Sequence, residues 1–192
     1  MDSFLEKLDH KIVVAINSLH TPFWDEIMWF FSSKSVWIPL YVLLVFLAYK
    51  KLNRQQFIWF VMLAIGSVVL ADLISTLCFK EVFMRYRPSH HLELVKKLHF
   101  YEIKPGEYYQ GGQYGFISSH AANFFAIAVF VGLTLKTYYP KLLYILLLLA
   151  VIVSFSRIYL GVHYLSDVLM GGLVGSFVAY LVYRFVYKRL IN

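Results

Sequence analysis

Charged residues are scarce in this sequence. Only 15% of the 192 residues are Asp, Glu, Lys or Arg, whereas 60% are hydrophobic. A soluble domain normally has about a quarter of its residues charged and about half apolar. The shortage of charge, together with long uncharged runs, excludes an ordinary soluble domain and indicates an integral membrane protein. The chain length predicts one domain over residues 1–192.

Cysteine is nearly absent as well, because Cys78 is the only one. A disulfide framework within the chain is therefore excluded. Residues 1–11 contain acidic side chains and no apolar run, which argues against a cleavable signal peptide. The sequence also has no internal repeat and no segment of low complexity.

Metal ligands in a familiar spacing are missing. His90, His91 and His99 lie in a polar loop and lack the spacing typical of zinc ligands, so we expect no metal and no other cofactor. Aromatic residues make up 19% of the chain. They suit a lipid-facing surface and the headgroup belt rather than a platform for stacking bases, so no nucleic-acid partner is expected.

Long apolar runs are abundant, and they predict an all-α polytopic membrane bundle with about five transmembrane helices. The runs cover residues 35–49, 56–79, 118–135, 139–155 and 163–187. Residues 1–34 combine amphipathic spacing with tryptophans and acidic side chains, a pattern typical of interfacial helices rather than of a span. Gly171, Gly172 and Gly175 predict close helix packing. Asp72 predicts either a buried polar contact that orients the site or a hydrogen bond between helices, and the second interpretation is favoured.

Acidic residues are missing from three short polar segments, 50–54, 136–141 and 184–192, whereas each segment carries lysine or arginine. The positive-inside rule predicts that these segments are cytoplasmic. The long polar loop 80–117 and the junction 156–167 then face the other side of the cell (inner) membrane. A loop of that length is uncommon in a compact domain and indicates function.

Polar residues gather at the helix ends on this second side. They fall into three clusters: Lys80 with Arg87; Ser118, Ser119 and His120; and Arg157, His163 and Asp167. Fixed cations and helix N-termini favour a dianion such as phosphate. An aspartate one helical turn after a histidine can hold one ring nitrogen and leave the other free as a base or nucleophile.

The spacing of these residues resembles a known signature. Lys80-x6-Arg87-Pro88, Ser118-x-His120 and Ser156-Arg157-x5-His163-x3-Asp167 are similar to the three motifs of the type-2 phosphatidic acid phosphatase superfamily. That superfamily includes lipid phosphate phosphatases, undecaprenyl pyrophosphate phosphatases and vanadium haloperoxidases. The middle motif departs from the family's Pro-Ser-Gly-His, because Ile117 replaces proline and Ser119 replaces glycine.

The resemblance implies roles for the matching residues. His163 is expected to attack phosphorus and form a phosphohistidine, and Asp167 is expected to orient it. His120 is expected to protonate the leaving oxygen and then to activate water. The phosphoryl oxygens are expected to be held without metal by a further set: Lys80, Arg87, Arg157, Ser118 and the backbone N–H of Ser119.

These expectations lead to one functional hypothesis and two rivals. The hypothesis is a metal-independent lipid phosphatase that acts on the non-cytoplasmic face. Its substrate is left open among undecaprenyl pyrophosphate, phosphatidylglycerol phosphate, phosphatidate and lipid A phosphates, and so is the oligomeric state. The rivals are a lipid phosphotransferase and a non-enzymatic lipid-phosphate binder or transporter. The binder or transporter would need neither His120 nor the His163–Asp167 pair.

Overall fold

The computed structural model describes residues 4–191. Within them the chain is mainly helical, with the α-helices α1 Phe4–Asn17, α2 Pro22–Ser32, α3 Ile38–Tyr49, α4 Arg54–Leu73, α5 Glu81–Phe83, α6 Ser119–Leu135, α7 Leu142–Tyr159, α8 Leu165–Leu181 and α9 Lys188–Ile191. Shorter elements complete the fold: 3-10 turns at Ser35–Trp37 and Pro88–His90, π-helical segments at Ile74–Lys80 and Val182–Tyr187, and an antiparallel pair of strands, β1 Glu102–Lys104 and β2 Glu107–Tyr108.

Two of the helices are longer than their α-helical parts. A π-helical segment joins α4 to α5, giving a helix of 30 residues, Arg54–Phe83, and another joins α8 to α9, giving 27 residues, Leu165–Ile191. Together with α7, these are the three helices among residues 4–191 that are long and apolar enough to cross a membrane. The bent pair Pro22–Ser32 and Ser35–Tyr49, which meet at 67°, adds a fourth span if it counts as one.

The remaining expected span, residues 118–135, corresponds to α6, whose 17 residues are apolar but fall short of that length. Helices therefore lie at all five predicted positions, whereas length and composition alone support three or four spans. The all-α membrane fold is confirmed. That residues 1–34 form interfacial helices stays a prediction, and residues 1–3 lie outside the described part of the chain.

Several helix ends differ from the predicted ones. Lys80, expected to open the loop, lies in the helix, which ends only where Met84 takes a left-handed φ of 43°. α7 begins at Leu142 and not at Tyr139, because the Tyr139 N–H still donates to the Leu135 carbonyl and so completes the end of α6. α8 begins at Leu165, two residues later than predicted, because the Asp167 carboxylate caps it through the backbone N–H of Tyr164.

The centre of the bundle is α6, which packs against α4, α7 and α8. Small residues allow its contact with α8 to be backbone to backbone. A Cβ added at Gly175 would lie 2.0 Å from the carbonyl oxygen of Ala122, and one added at Gly171 would lie 2.5 Å from that of Ser118. The predicted role of these glycines in close packing is confirmed.

The close approach of α6 and α8 fixes the relative position of their N-termini. The backbone N–H of Ser118 donates to the carbonyl oxygen of Asp167 at 3.0 Å. On the other side of α6, the Asn123 side chain donates to Asp72 Oδ1 at 3.4 Å, which is the predicted helix–helix hydrogen bond. Both contacts hold polar groups of separate helices together near the loop side of the bundle.

The N-terminal helix α1 packs on the bundle through a stripe that combines polar and apolar residues. Asp9, Val13 and Asn17 form its buried stripe, whereas Phe4 is 80% exposed. The Asn17 amide donates to the carbonyl oxygens of His99 and Tyr159 at 2.8 and 2.7 Å. Its oxygen accepts the backbone N–H of His99 at 2.7 Å. The apolar residues at the start of α1 therefore face away from the protein.

We expect Gly175→Ala to destabilise the protein, because the new methyl group would require α6 and α8 to move apart. Overpacking of this kind costs about 3 kcal/mol or more when the obstacle is backbone. Gly66→Ala in α4 is the matched control, since a Cβ there meets no atom within 4 Å. Thermal unfolding in detergent should show a large loss of Tm for Gly175→Ala alone. Equal Tm values for the two variants would contradict the close packing.

Candidate active site

The centre of the site is a buried histidine–carboxylate pair. His163 Nδ1 lies 3.2 Å from Asp167 Oδ2, and their side chains are 1% and 0% exposed. An ionised carboxylate can only accept a hydrogen bond, so this contact places the proton on Nδ1 and leaves the lone pair on Nε2. The pair is the one predicted from the spacing, although His163 itself precedes the helix.

The chain conformation around Tyr164 explains how the pair forms. Tyr164 is extended, with φ −78° and ψ 164°, and stands as the N-cap of α8. Its backbone N–H donates to Asp167 Oδ2 at 3.0 Å, so the same oxygen serves the helix end and the imidazole. The preceding Gly161 has φ +68°, a left-handed conformation in which glycine carries no Cβ penalty and which turns the chain from α7 towards α8.

His163 is kept neutral by its surroundings. Burial lowers its pKa well below the ordinary value, and the charges of Arg87, Arg157 and Lys80 and the neighbouring His120 act in the same direction. A neutral imidazole at neutral pH has its Nε2 lone pair available. His163 is therefore an oriented nucleophile or base, and no other group has to remove a proton from its Nε2 first.

The N-terminus of α6 supplies the second part of the site. Ser118 is fully buried as the N-cap, and its hydroxyl accepts the N–H of Ala121 at 3.5 Å. The hydroxyl of Ser119 lies 2.6 Å from that of Ser75 and also accepts a hydrogen bond from Lys80 Nζ. The serine that replaces the glycine of the family pattern thus contacts the first cation of the site directly. His120 follows on the first turn.

Arg87 is held by backbone carbonyls. Its Nε donates to Tyr114 O at 3.1 Å and its Nη1 to Val162 O at 3.4 Å. Burial and the neighbouring Arg157 lower the pKa of Arg87 to about 10, so the guanidinium stays charged at neutral pH. Two glycines of the loop make room for this side chain. A Cβ at Gly111 would lie 2.8 Å from Arg87 Nη1, and one at Gly115 would lie 2.9 Å from its Cγ.

Arg157, at the end of α7, is 1% exposed. Its Nη1 donates to the hydroxyl of Ser32, and its Nη2 donates to the hydroxyl of Tyr109 at 2.8 Å. Its buried Nε has no hydrogen-bond partner among residues 4–191. Buried donors are nearly always paired in folded proteins, so this unpaired guanidinium N–H is suited to donating a hydrogen bond to an anionic ligand.

The structure brings all the predicted site residues to one end of the bundle. Hydrogen bonds link Lys80 to Ser119 and Ser118 to Asp167, and Lys80, Arg87, Arg157 and His120 are all close enough to act electrostatically on His163. These contacts join helices α4, α6, α7 and α8 with the loop. The arrangement can hold a phosphoryl group and place a nucleophile against it.

Some residues of the site were missed from the sequence. Arg85 donates to Asp167 Oδ1 at 3.1 Å, and its place between Lys80 and Arg87 in the first motif was an available signal. Ser32 and Tyr109 bind Arg157, but nothing in their sequence neighbourhoods indicates that contact. Ser75 lies about one helical turn before Phe79 and Lys80, within an apolar run where a single serine gives no sign of belonging to the site.

One group of potential metal ligands lies apart from this cluster, at His20, Asp25 and His99. The two imidazole rings stack with centroids 3.9 Å apart and planes at 11°, so their lone pairs run side by side rather than converge. The Asp25 carboxylate already accepts hydrogen bonds from His99 Nε2 at 2.9 Å and from the Tyr159 hydroxyl at 2.7 Å. Stacking and hydrogen bonding account for this group.

Comparison with known proteins gives the family. A sequence model described as the PAP2 superfamily matches residues 58–191. A lipid A 4'-phosphatase of Bacteroides thetaiotaomicron is 30% identical over 188 residues, covering 98% of this chain and 81% of the relative. The corresponding protein of Porphyromonas gingivalis is 28% identical, covering 97% of this chain and 76% of the relative. An undecaprenyl-diphosphatase of Sulfolobus acidocaldarius is 33% identical over 79% of this chain and 64% of its own length.

Solved structures give the same fold. The PAP2-type phosphatidylglycerolphosphate phosphatase of Bacillus subtilis has a TM-score of 0.73 at 23% identity, covering 97% of this chain and 88% of the other. LpxE of Aquifex aeolicus has a TM-score of 0.63 at 22% identity, covering 91% and 94%. The chain therefore belongs to the PAP2 superfamily, and the prediction of an integral membrane lipid phosphatase is confirmed.

Proposed function

We propose that the chain removes a phosphate group from the headgroup of a membrane lipid through a phosphohistidine on His163. The observation that carries this proposal is the buried His163–Asp167 pair set among Lys80, Arg87 and Arg157. Phosphoryl transfer needs mainly positioning and neutralisation of the non-bridging oxygens, and fixed cations supply both without a metal.

The first step forms one bond and breaks one. His163 Nε2 attacks phosphorus, and the bond from phosphorus to the lipid oxygen breaks. Because the bound phosphate dianion offsets the surrounding cations, His120 at the start of α6 carries a proton and gives it to that oxygen. The lipid leaves as an alcohol, or as a monophosphate if the substrate is a pyrophosphate. Asp167 stabilises the positive charge that develops on the imidazole.

The second step restores the enzyme. His120, now neutral, takes a proton from water as the water oxygen attacks phosphorus, and the P–N bond to His163 breaks. Inorganic phosphate leaves, and His163 regains its lone pair. Through both steps the phosphoryl oxygens are held by Lys80, Arg87, Arg157, Ser118 and the backbone N–H of Ser119. The unpaired Nε of Arg157 supports this assignment.

For the substrate we propose the phosphomonoester of a lipid A-type glycolipid. The support is that the two relatives aligned over nearly the whole chain are both lipid A 4'-phosphatases. A polyprenyl pyrophosphate is the second candidate, because the undecaprenyl-diphosphatase relative has the higher identity over a shorter stretch. Membership of a phosphatase family and the nucleophile pair both argue against the non-enzymatic binder, since binding alone does not need the pair.

The test is phosphate release by purified protein in detergent from lipid A, undecaprenyl pyrophosphate, phosphatidylglycerol phosphate and phosphatidate, each with and without EDTA. We expect lipid A to have the highest kcat/KM and EDTA to change nothing. His163→Ala should have no turnover and yet still bind the lipid, because the three cations remain. Turnover at the wild-type rate in that variant would contradict the assignment of His163 as the nucleophile. Transfer of phosphate to an added alcohol instead of water would favour the phosphotransferase.

A second test concerns the three cations proposed to hold the phosphoryl oxygens, Lys80, Arg87 and Arg157, which together form a cation clamp. Arg87→Lys keeps the charge but loses the planar fork that binds two oxygens at once, so kcat/KM should fall about 30- to 1000-fold, as for loss of one transition-state contact of roughly 2–4 kcal/mol. Lys97→Ala is the control, because Lys97 is exposed in the same loop and outside the motifs. Comparable activity of Arg87→Lys and wild type would rule out the clamp.

The proposed side of the membrane can be tested by labelling. Cysteines replacing Lys51 and Lys136, in a background with Cys78→Ser, should resist an impermeant thiol reagent in intact cells, while one replacing Glu93 should react. The expectation rests on the basic, acid-free segments 50–54 and 136–141. All three positions are exposed, so access across the bilayer decides the result. The reverse pattern would put the active site on the cytoplasmic face.

A further inference from the structure

Helix α1 lies outside the residues that match the PAP2 superfamily model, yet it reaches the catalytic cluster. The contact is made by Asp9, which is only 5% exposed. Its carboxylate accepts a hydrogen bond from Arg85 Nη2 at 2.8 Å and one from the backbone N–H of Ser166 at 3.0 Å. The hydroxyl of Ser166 donates to the same carboxylate. Asp9 is thus bonded to Ser166, which precedes Asp167 in the sequence, and to Arg85, which itself contacts Asp167.

Arg85 is the link between Asp9 and the catalytic carboxylate. Its Nη1 donates to Asp167 Oδ1 at 3.1 Å and to the Ser166 hydroxyl at 2.7 Å, while its Nη2 bonds Asp9. The guanidinium carbon lies 4.1 Å from the ring centroid of Tyr164. A planar group with hydrogen bonds at two nitrogens and an aromatic ring against its face has one orientation open to it.

These contacts fix Asp167 at both of its oxygens. Oδ2 receives His163 Nδ1 and the Tyr164 N–H, whereas Oδ1 receives Arg85. A carboxylate held only at Oδ2 is free to turn about its own axis and to carry the imidazole with it. The contact at Oδ1 removes that freedom, so the direction of His163 Nε2 depends on Arg85.

The charge balance gives Asp9 a role beyond anchoring. Arg85 alone beside Asp167 would neutralise the carboxylate that has to stabilise a positive imidazole. With Asp9 included, two carboxylates and one guanidinium leave one net negative charge next to His163. The second carboxylate therefore allows Arg85 to orient Asp167 without cancelling its charge.

We propose that Asp9 and Arg85 are positioning residues of the active site, through which the N-terminal helix orients Asp167 and His163. The inference rests on the proposed function, because it assigns Asp9 and Arg85 to the catalytic pair of that reaction. Neither residue touches the substrate. They act through Asp167, so their loss should slow the chemical step and leave substrate binding nearly unchanged.

The chain offers a matched control for a merely structural role of α1. Asn17 anchors the other end of the same helix, where it bonds to His99 and Tyr159 and makes no hydrogen bond to the catalytic pair. Asn17→Ala therefore loosens α1 without touching Asp167. Asp9→Asn keeps the size of the side chain and removes its charge, so it tests the electrostatic role with little change in packing.

The experiment measures kcat, KM and Tm of these variants on the best substrate of wild type. Asp9→Asn and Arg85→Gln should lose about 10- to 100-fold in kcat, with KM within about threefold. The range is the one known for loss of a hydrogen-bonded partner that orients a metal ligand, which is positioning of the same indirect kind. Asp9→Glu should recover part of the loss. Asn17→Ala should lower Tm and keep kcat within about twofold of wild type.

A second measurement keeps the test decisive if a substitution weakens folding. The side chain of Arg85 is 23% exposed, so free guanidinium in the millimolar range should reach its place and restore part of the kcat of Arg85→Ala. The same addition should not raise the kcat of Asn17→Ala. Two results would overturn this inference and leave the proposed function intact. One is a wild-type kcat in Asp9→Asn, and the other is a loss of kcat that is proportional to the loss of Tm in every variant, Asn17→Ala included. Absence of any lipid phosphatase activity in wild type would overturn the proposed function and this inference together.

Discussion

A fully buried carboxylate, Asp167, is the constraint on which the rest of the site depends. An ionised group inside a helical bundle is costly unless its oxygens are bonded and its charge is balanced. Here Oδ2 accepts from His163 and Tyr164, Oδ1 accepts from Arg85, and the backbone carbonyl accepts from Ser118. The helix cap, the nucleophile and the N-terminus of α6 are therefore placed by one residue.

The cations impose a second constraint, because three of them share one end of the bundle with His163. Such cations repel one another, and separate protein contacts hold each of them. The carbonyls of Tyr114 and Val162 hold Arg87, the hydroxyls of Ser32 and Tyr109 hold Arg157, and the hydroxyl of Ser119 holds Lys80. The loop provides two of these partners, Tyr109 and Tyr114, and its glycines at 111 and 115 let it lie against Arg87. The loop 80–117 is long because it has to reach Arg87 and Arg157 and contact both of them.

Close helix packing connects these polar contacts to the apolar bundle. Because α6 and α8 meet backbone to backbone at Gly171 and Gly175, their N-termini lie side by side, and Ser118 reaches the carbonyl of Asp167. The exposed apolar surface of α4, α7 and α8 suits lipid, and the charged cluster lies at the helix ends. An amphiphile with its phosphate at the cations and its chains along the helices fits this division.

The sequence by itself determined the helices and the residues of the three motifs, because apolar run length and the spacing of His163 and Asp167 act within one segment of chain. Only the tertiary structure decided how distant segments meet. Asp9 bonds Ser166 across 157 positions, and the inward stripe of α1 combines Asp9 and Asn17 with Val13, a contact that the amphipathic pattern alone did not predict. Likewise, only the structure shows that Ser119, which replaces the glycine of the family motif, forms hydrogen bonds with Lys80 and Ser75. Such contacts depend on the relative placement of whole helices, which side-chain packing sets and local spacing does not contain.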